Sequence, residues 1–422
     1  GPSWPSIRPK RTLSGDGRFS VYMSYATDLV DGYTGSGYQI YLYDRLTATN
    51  TLVSHAYGGS SAGGSCDSQE PTISDDGSAV VFYSCASNLI NGYSSGGGYY
   101  QSYLWDRASG AIALVSHADG LPATGGNCHA YRQQVSADGQ TVAFWGCAND
   151  LVSGYTSTGG SYQLYLWDRP SGIVQLVSHP PGAPTTGGSC DSGDDYYLSW
   201  SGFDLAGGGE AIAFGSCATN LVSGFVGGGA SWNVYHWSRA TDSTSLISED
   251  ASTVSVGASC GAFSPTISAD GERVAYQSCA TNLVPGYSAG GNWQVFAWAA
   301  ATGESTLVSH ADGAAANAAS CESNPGWWDS RAEISGDGEW VAYLHCGTDL
   351  VSGYLSTGSS FQLYLGATSG ASNQLVSHVA GAPTSGSACD NYQPSVSYDA
   401  SRVTFINCAN DLVPGLVSAG YW

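Results

Sequence analysis

Lysine is almost missing from this 422-residue chain. Lys10 stands alone, and Lys+Arg total 12 against 34 Asp+Glu, a formal net charge of −22. Nucleic acid and anionic membrane surfaces need a basic face on their partner, so neither is expected here. Charge of either sign is scarce, at 11% of residues. Gly, Ser, Thr and Tyr must therefore cover much of the surface, which favours hydrogen-bonding contacts over charge-driven ones. No apolar run approaches the roughly 20 residues of a membrane span. No secretory leader is visible, and the chain opens at Gly1 rather than Met, which reads as a mature or trimmed form. No segment sustains a 3.6-residue period either, so helices are not expected.

What the chain has instead is repetition. A Ser-x-Asp-Gly signal, or a degraded form of it, recurs at Ser14, Ser74, Ser136, Ser199, Ser268, Ser335 and Ser397, with spacings of 60, 62, 63, 69, 67 and 62 residues. Within each repeat the order is constant. A short apolar run such as "PTIS" leads to a "DG" turn and an alternating run such as "SAVVFYS". Then come "C-A-x-N/D-L-V-x-G-Y", a Gly/Ser loop, "YQLYLWDR", a small turn and "LVSH". The four runs are short, rich in β-branched and aromatic residues, and bounded by Gly, Asp or Ser. They read as β-strands A, B, C and D. A "DG" or "SG" pair between runs is a hairpin signal, because glycine takes positive φ at little cost.

Four antiparallel strands repeated seven times are the signature of a β-propeller. The expected fold is all-β: a seven-bladed propeller of four-stranded blades forming one domain over 1–422. The repeats start near residues 8, 68, 130, 192, 262, 329 and 391. The repeats resemble the TolB-type, WD40-like propeller repeats of bacterial secreted proteins, in which "SxDGxxVAFxSxAxNLVxGD" leads to a "VFVxD" strand. That likeness covers nearly the whole chain and is specific for fold. Propellers host binding, scaffolding and catalysis alike, so it does not choose among them.

Twelve cysteines fall two per repeat in repeats two to seven. Cys66 and Cys85, Cys128 and Cys147, Cys260 and Cys279, and Cys389 and Cys408 are each 19 residues apart, with midpoints inside the SxDG turn. Residues equidistant from a hairpin turn face each other, close enough for a disulfide. Cys190 with Cys217 and Cys321 with Cys346 are 27 and 25 apart, stretched by "SGFDLAGGGE" and "NPGWWD". Six A-to-B disulfides are expected; zinc is the rival, but no C-x2-C spacing occurs. Disulfides imply an oxidising compartment, hence an extracellular or cell-surface protein.

Several features imitate active-site chemistry. His55, His117, His179, His310 and His378 close "VSH" at the end of strand D, with Glu249 in the fourth repeat. Strand D is the outermost of a blade, so these histidines lie too far apart for one metal and read as a repeated edge residue. "WDR" at Trp105–Arg107 and Trp167–Arg169 is repeated too, as a strand-end pair should be and a catalytic group should not.

In the TolB-type repeats the loop after strand B reads like D-x-N-G-x-x-D, similar to a calcium-binding loop. Here Tyr33, Tyr93, Tyr155, Phe225, Tyr287 and Tyr354 replace its first Asp. Gln39, Gln101, Gln163, Asn233, Gln294 and Gln362 hold its last position. Without those carboxylates calcium is not expected, nor any other cofactor. A second aromatic precedes the amide in each loop (Tyr38, Tyr100, Tyr162, Trp232, Trp293, Phe361). These aromatics either pack together to staple the loop, the favoured reading, or form clefts that stack on sugar rings. No unique Ser-His-Asp or Cys-His set stands out. If a single site exists, the irregular stretches Asn324–Asp329, Ser192–Asp204 and His129–Arg132 place it in repeats three, four and six.

The chain closes on "CANDLVPGLVSAGYW", which matches "CATNLVPGYSAGGNW" at Cys279–Trp293 and then stops. Strands A and B are thus expected seven times but C and D six times, leaving the seventh blade incomplete. Its strand B would be an edge of unpaired backbone groups, which recruits another strand. Val403, Phe405, Asn407, Leu412, Val413, Leu416, Trp422 and Trp4 are the candidate edge residues. The expected function is a secreted, non-enzymatic interaction or structural protein. It self-assembles, or binds another extracellular protein, by strand addition; the alternative is a multivalent carbohydrate-binding propeller.

Overall fold

The computed structural model describes residues 11–95, 97–193, 202–227, 229, 232–288, 293–323, 331–357 and 361–415. Those residues hold 25 strands and no helix. The chain divides into two compact units: Gly1–Gly193 with the turns Gly207–Glu210 and Arg239–Asp242, and the remainder.

The strands form seven antiparallel sheets in chain order. The first unit carries three. The first sheet comprises Phe19–Ser24, Gln39–Asp44 and Thr49–Leu52. The second comprises Ser68–Ile73, Ala79–Ser84, Gln101–Asp106 and Ile112–Leu114, and the third Ala130–Val135, Thr141–Gly146, Gln163–Asp168 and Ile173–Leu176. The second unit carries four. The fourth sheet is built from Phe203–Leu205, Ala211–Ser216, Asn233–Ser238 and Ser243–Leu246. The fifth has Ala262–Ile267, Arg273–Ser278, Gln294–Ala299 and Glu304–Leu307, and the sixth Glu333–Ile334, Trp340–His345, Gln362–Ala367 and Asn373–Leu375. The seventh has Asn391–Val396 and Val403–Asn407. Seven consecutive sheets of this kind are consistent with a propeller of about seven blades.

Strand A of the first repeat, expected over Arg8–Ser14, is described only as a bridge from Leu13 to Ser20, because residues 1–10 lie outside the described part. In the second to sixth sheets B and C are the buried strands, as a sheet covered on both faces requires, whereas Val403–Asn407 in the seventh alternates between half-buried and exposed. Ala79–Ser84 and Thr141–Gly146 are buried along their whole length. Successive sheets within a unit share their cores: Phe19, Ile40, Ile73, Phe82 and Trp105 form one cluster, and Val81, Leu104, Val135, Phe144 and Trp167 another.

The SxDG turn works as the sequence suggests. Ser74 Oγ donates to Asp76 Oδ1 at 2.6 Å, and the same oxygen accepts the Ser78 N–H at 2.8 Å. Gly77 supplies the positive φ of 67°. The seventh repeat has alanine there, and Ala400 sits at φ 52°.

Turns grouped in the first unit, Gly207–Glu210 and Arg239–Asp242 among them, also bond to one another. Gly15 N–H donates to Asp75 O and Ala137 N–H to Gly207 O, at 2.8 and 2.7 Å. The "WDR" pairs do the same with charge: Arg169 reaches Asp106 and Arg239 reaches Asp168, each at 2.6 Å.

Five disulfides join A-to-B partners as the spacing predicts: Cys66–Cys85, Cys128–Cys147, Cys260–Cys279, Cys321–Cys346 and Cys389–Cys408. Cys190 and Cys217 are disulfide-bonded too, and no cysteine is free. Among the described residues no helix is long and apolar enough to cross a membrane. Disulfides with no such helix fit an extracellular or periplasmic protein.

Candidate functional site: an aromatic face on the second and third sheets

The loop after strand B is held by side chains that the sequence left with two roles. Tyr33, Tyr93, Tyr155 and Tyr354 each lay their hydroxyl over a glycine of the D-to-A connection. A Cβ built on Gly63, Gly125, Gly187 or Gly386 would sit 3.0, 2.9, 2.6 or 2.7 Å from that oxygen. Tyr93, Tyr155, Tyr287 and Tyr354 pack against the cores of their sheets, so these tyrosines are staples. Phe225 holds the same loop position and is half-buried like them.

The amide behind them closes a clasp. Gln163 is 1% exposed; its Oε1 accepts Ser178 Oγ at 2.6 Å and Gly188 N–H at 3.0 Å, and its Nε2 donates to Gly188 O. Gln101 and Gln362 repeat the pattern through Ser116 and Ser377. The serine of "VSH" therefore bonds inward to the glutamine, which its place beside a histidine had hidden.

The histidines are not edge residues. His117, His179 and His310 are 6%, 2% and 3% exposed. The ring of His117 reaches from its strand end to the next repeat's C-to-D turn, with Nε2 2.9 Å from Gly172 O. Adjacent repeats bring that turn against the strand end, which a blade considered alone does not reveal. Among the described residues no three His, Cys, Asp or Glu side chains gather as a metal site requires.

The second aromatics of the loops lead to the place where the repeat breaks. The penultimate residue of strand B varies from copy to copy: Met23, Tyr83, Trp145, Gly215, Gln277, Leu344, Ile406. Where it is aromatic, rings accumulate. Trp145 stacks on Tyr162 with centroids 4.0 Å apart. Tyr131 contacts Trp145, Tyr100 and Tyr83 at 6.3, 6.0 and 5.3 Å, and His129 stacks on Tyr131 at 5.1 Å. Tyr99 closes edge-on to His129 at 4.9 Å. Tyr99, Tyr100, His129, Tyr131 and Tyr162 are half-buried, around Tyr83 and Trp145, which are 9% exposed. Two disulfides, Cys66–Cys85 and Cys128–Cys147, flank the face and hold its strands.

Polar groups stand beside the rings on bulges in strand A. Register shifts between Gln69 and Thr72, and between Tyr131 and Gln134, put Glu70 and Arg132 at φ 47° and 52°. The same bulge recurs in the fifth and seventh sheets, where Ser264 and Gln393 take φ 53° and 51°, so it belongs to the repeat. Burial pushes the Glu70 carboxyl up to about 7, while Arg132 and the Tyr83 hydroxyl pull it the other way. The Arg132 guanidinium lies over the Trp145 ring at 5.3 Å. Gln133, 2% exposed, donates to Glu70 O at 2.6 Å and leaves its own Oε1 buried without a partner. The Tyr100 N–H donates to His129 Nδ1 at 3.1 Å, which leaves the ring proton on Nε2. Burial lowers the pKa of that ring.

This arrangement sets a carboxyl and a guanidinium beside a group of half-buried rings. His129–Arg132 was one of the stretches singled out above, but its companions come from the second repeat. Asn324–Asp329 and most of Ser192–Asp204 lie outside the described residues.

Of the candidate edge residues, Val403 and Phe405 pack against the Leu344–Leu363 cluster. Asn407 turns into its own hairpin, donating to Asn391 Oδ1 at 2.8 Å and Ser387 Oγ at 3.1 Å. Leu412 is half-buried and Val413 is 57% exposed. Leu416, Trp422 and Trp4 lie outside the described residues.

No protein-family model and no curated protein matches the chain. Solved structures do. An oligogalacturonate lyase from Vibrio parahaemolyticus aligns at TM-score 0.47 and 14% identity, over 94% of this chain and 85% of that one. TolB from Acinetobacter baumannii aligns at 0.36 and 16%, over 80% and 58%. Porphyromonas gingivalis dipeptidyl peptidase 4 aligns at 0.48 and 13%, over 93% of this propeller and 48% of that chain. Identities this low speak for the fold alone. The expectation of a non-enzymatic protein is set aside, lyases and peptidases being among the similar structures.

Proposed function

We propose that this propeller binds saccharide on the aromatic face of the second and third sheets. The observation that carries the reading is the joined run of half-buried Tyr100, Tyr131 and Tyr162 over the buried rings of Tyr83 and Trp145, at a strand position that differs from repeat to repeat. A pyranose ring offers an apolar C–H face to an aromatic platform and hydroxyls at its edge. Glu70, Arg132 and His129 supply donors and acceptors for that edge. Large, rigid aromatics give contact area at low conformational cost, and few polar groups then set orientation. The binding mode uses no metal or other cofactor.

The test is a glycan array with the full chain, followed by titration calorimetry on Trp145→Ala and Tyr155→Ala. Loss of binding in Trp145→Ala, with binding kept in Tyr155→Ala, is the expected outcome. Mass spectrometry of the incubated glycan reads any cleavage, which would extend the reading to catalysis by the Glu70 carboxyl. Equal affinity of wild type and Trp145→Ala would sink it.

A second reading concerns assembly at the seventh sheet. Among the described residues Val403–Asn407 pairs with Asn391–Val396 alone, and Ile406 is 40% exposed. An added strand, from another copy or another extracellular protein, would cover that edge. Light scattering and negative-stain imaging test this; a monomer at every concentration removes it.

A further inference from the structure

A cavity in the second unit marks the one repeat that exchanges its strand-end histidine for an acid. In the first three repeats that histidine bridges to the following C-to-D turn. His55 and His117 place Nε2 2.9 Å from Gly110 O and Gly172 O, and His179 places it 3.0 Å from Asp242 Oδ1. Glu249 occupies the matching position of the fourth repeat. Its carboxylate turns back to accept the Ser255 N–H instead of crossing to the turn. A carboxylate has neither a ring to fill the space nor a donor for a carbonyl.

What lies there is a cavity of about 400 Å³, with Gly303, the counterpart of Gly110 and Gly172, on its wall. That volume is at the small end for a ligand pocket. Leu283 and Pro285 contribute apolar surface, while Glu249, Asp250 and Glu304 bring carboxylates; no lysine, arginine or histidine lines it. Asp250 is kept ionised, its carboxyl below the usual range because Ser252 and Asn282 donate to it.

Three acids alone would be an ordinary solvated surface. The repeat supplies the evidence for an occupant: in three sister positions the same space holds a flat ring that directs an N–H at the same turn.

We infer that the Glu249 cavity binds a flat organic cation of the imidazolium or guanidinium class. The cation lies against Leu283 and Pro285, directs one N–H to the Gly303 turn, and is held by Glu249 and Glu304. The source is either a free small molecule or a His or Arg side chain presented by another protein. This inference stands apart from the saccharide reading and uses other residues.

The test titrates the full chain with 4-methylimidazole near pH 6, and with the tripeptides Gly-His-Gly and Gly-Arg-Gly, read by NMR saturation transfer. Saturable binding is expected, lost in Glu249→His, where the repeat's own ring fills the space, and about tenfold weaker in Glu249→Gln. Tighter binding of a tripeptide than of 4-methylimidazole assigns a protein side chain; the reverse order assigns a free cation. A thermal melt checks both variants, and if Glu249→His melts early then Glu249→Gln carries the test. Unchanged affinity in the variant that folds, or no saturable binding up to about 10 mM, overturns the inference.

Discussion

Replacing Glu70 with glutamine should make the protein more stable at neutral and alkaline pH. Burial raises this carboxyl from 4.5 to about 7 despite Arg132 and Tyr83. A raised acid pKa means that the folded state holds the proton more tightly than the unfolded chain. Stability is therefore complete below about pH 4.5 and falls as pH climbs to about 7, because ionisation is resisted only in the fold. Holding the carboxyl at about 7 instead of 4.5 costs about 3 kcal/mol of stability above pH 7, with the pull of Arg132 already included. Glutamine keeps the shape and cannot ionise, so Glu70→Gln removes that cost. Urea midpoints at about pH 4, 6, 7 and 8 measure it: the two proteins should nearly coincide at the acid end, with the variant ahead by up to about 3 kcal/mol at pH 8. Curves that stay parallel from about pH 4 to 8 would refute the reasoning. Saccharide affinity should follow the same proton, weakening above pH 7 in the wild type and staying level in Glu70→Gln.

Three further expectations concern the frame. Gly187→Ala puts a methyl 2.6 Å from the Tyr155 hydroxyl, and forced overpacking of this kind costs about 1–3 kcal/mol, visible as a lower urea midpoint. Ala400→Gly relieves a left-handed alanine at φ 52° and should gain about 0.5–1 kcal/mol after glycine's own entropy is subtracted; a loss would show that the turn tolerates Cβ. Replacing Cys66 and Cys85 by serine opens a 19-residue link and should cost about 3 kcal/mol, with loosened Tyr83 and Tyr131 rings seen as faster amide exchange nearby.

The repeat made the frame legible. Period, turn chemistry and cysteine spacing each answered to a short-range cause, a hairpin, and hairpins are read from neighbouring residues. The loop aromatics were legible as one of two options, and the packing one is seen at Tyr155, whose hydroxyl leaves no room for a Cβ on Gly187. Three things were hidden. The Ser178–Gln163 clasp joins strand ends 15 residues apart through a residue that looked subordinate to His179. His117 reaches Gly172 across 55 residues, in the next repeat. The Glu70–Arg132 site depends on two bulges, and an extra residue in a strand leaves no mark that alternation alone can expose.

The position that reads Met23, Tyr83, Trp145, Gly215, Gln277, Leu344, Ile406 has a consequence for how such a molecule diversifies. Its preceding neighbour is a ring in copies one to six, Tyr22, Phe82, Phe144, Phe214, Tyr276 and Tyr343, committed to the core. Gln277 and Leu344 are 1% exposed at that position and Tyr83 and Trp145 9%, so what differs between these copies is the filling of one buried place: rings in the second and third, an amide in the fifth, a leucine in the sixth. Each copy thus carries its own signature inside a common frame.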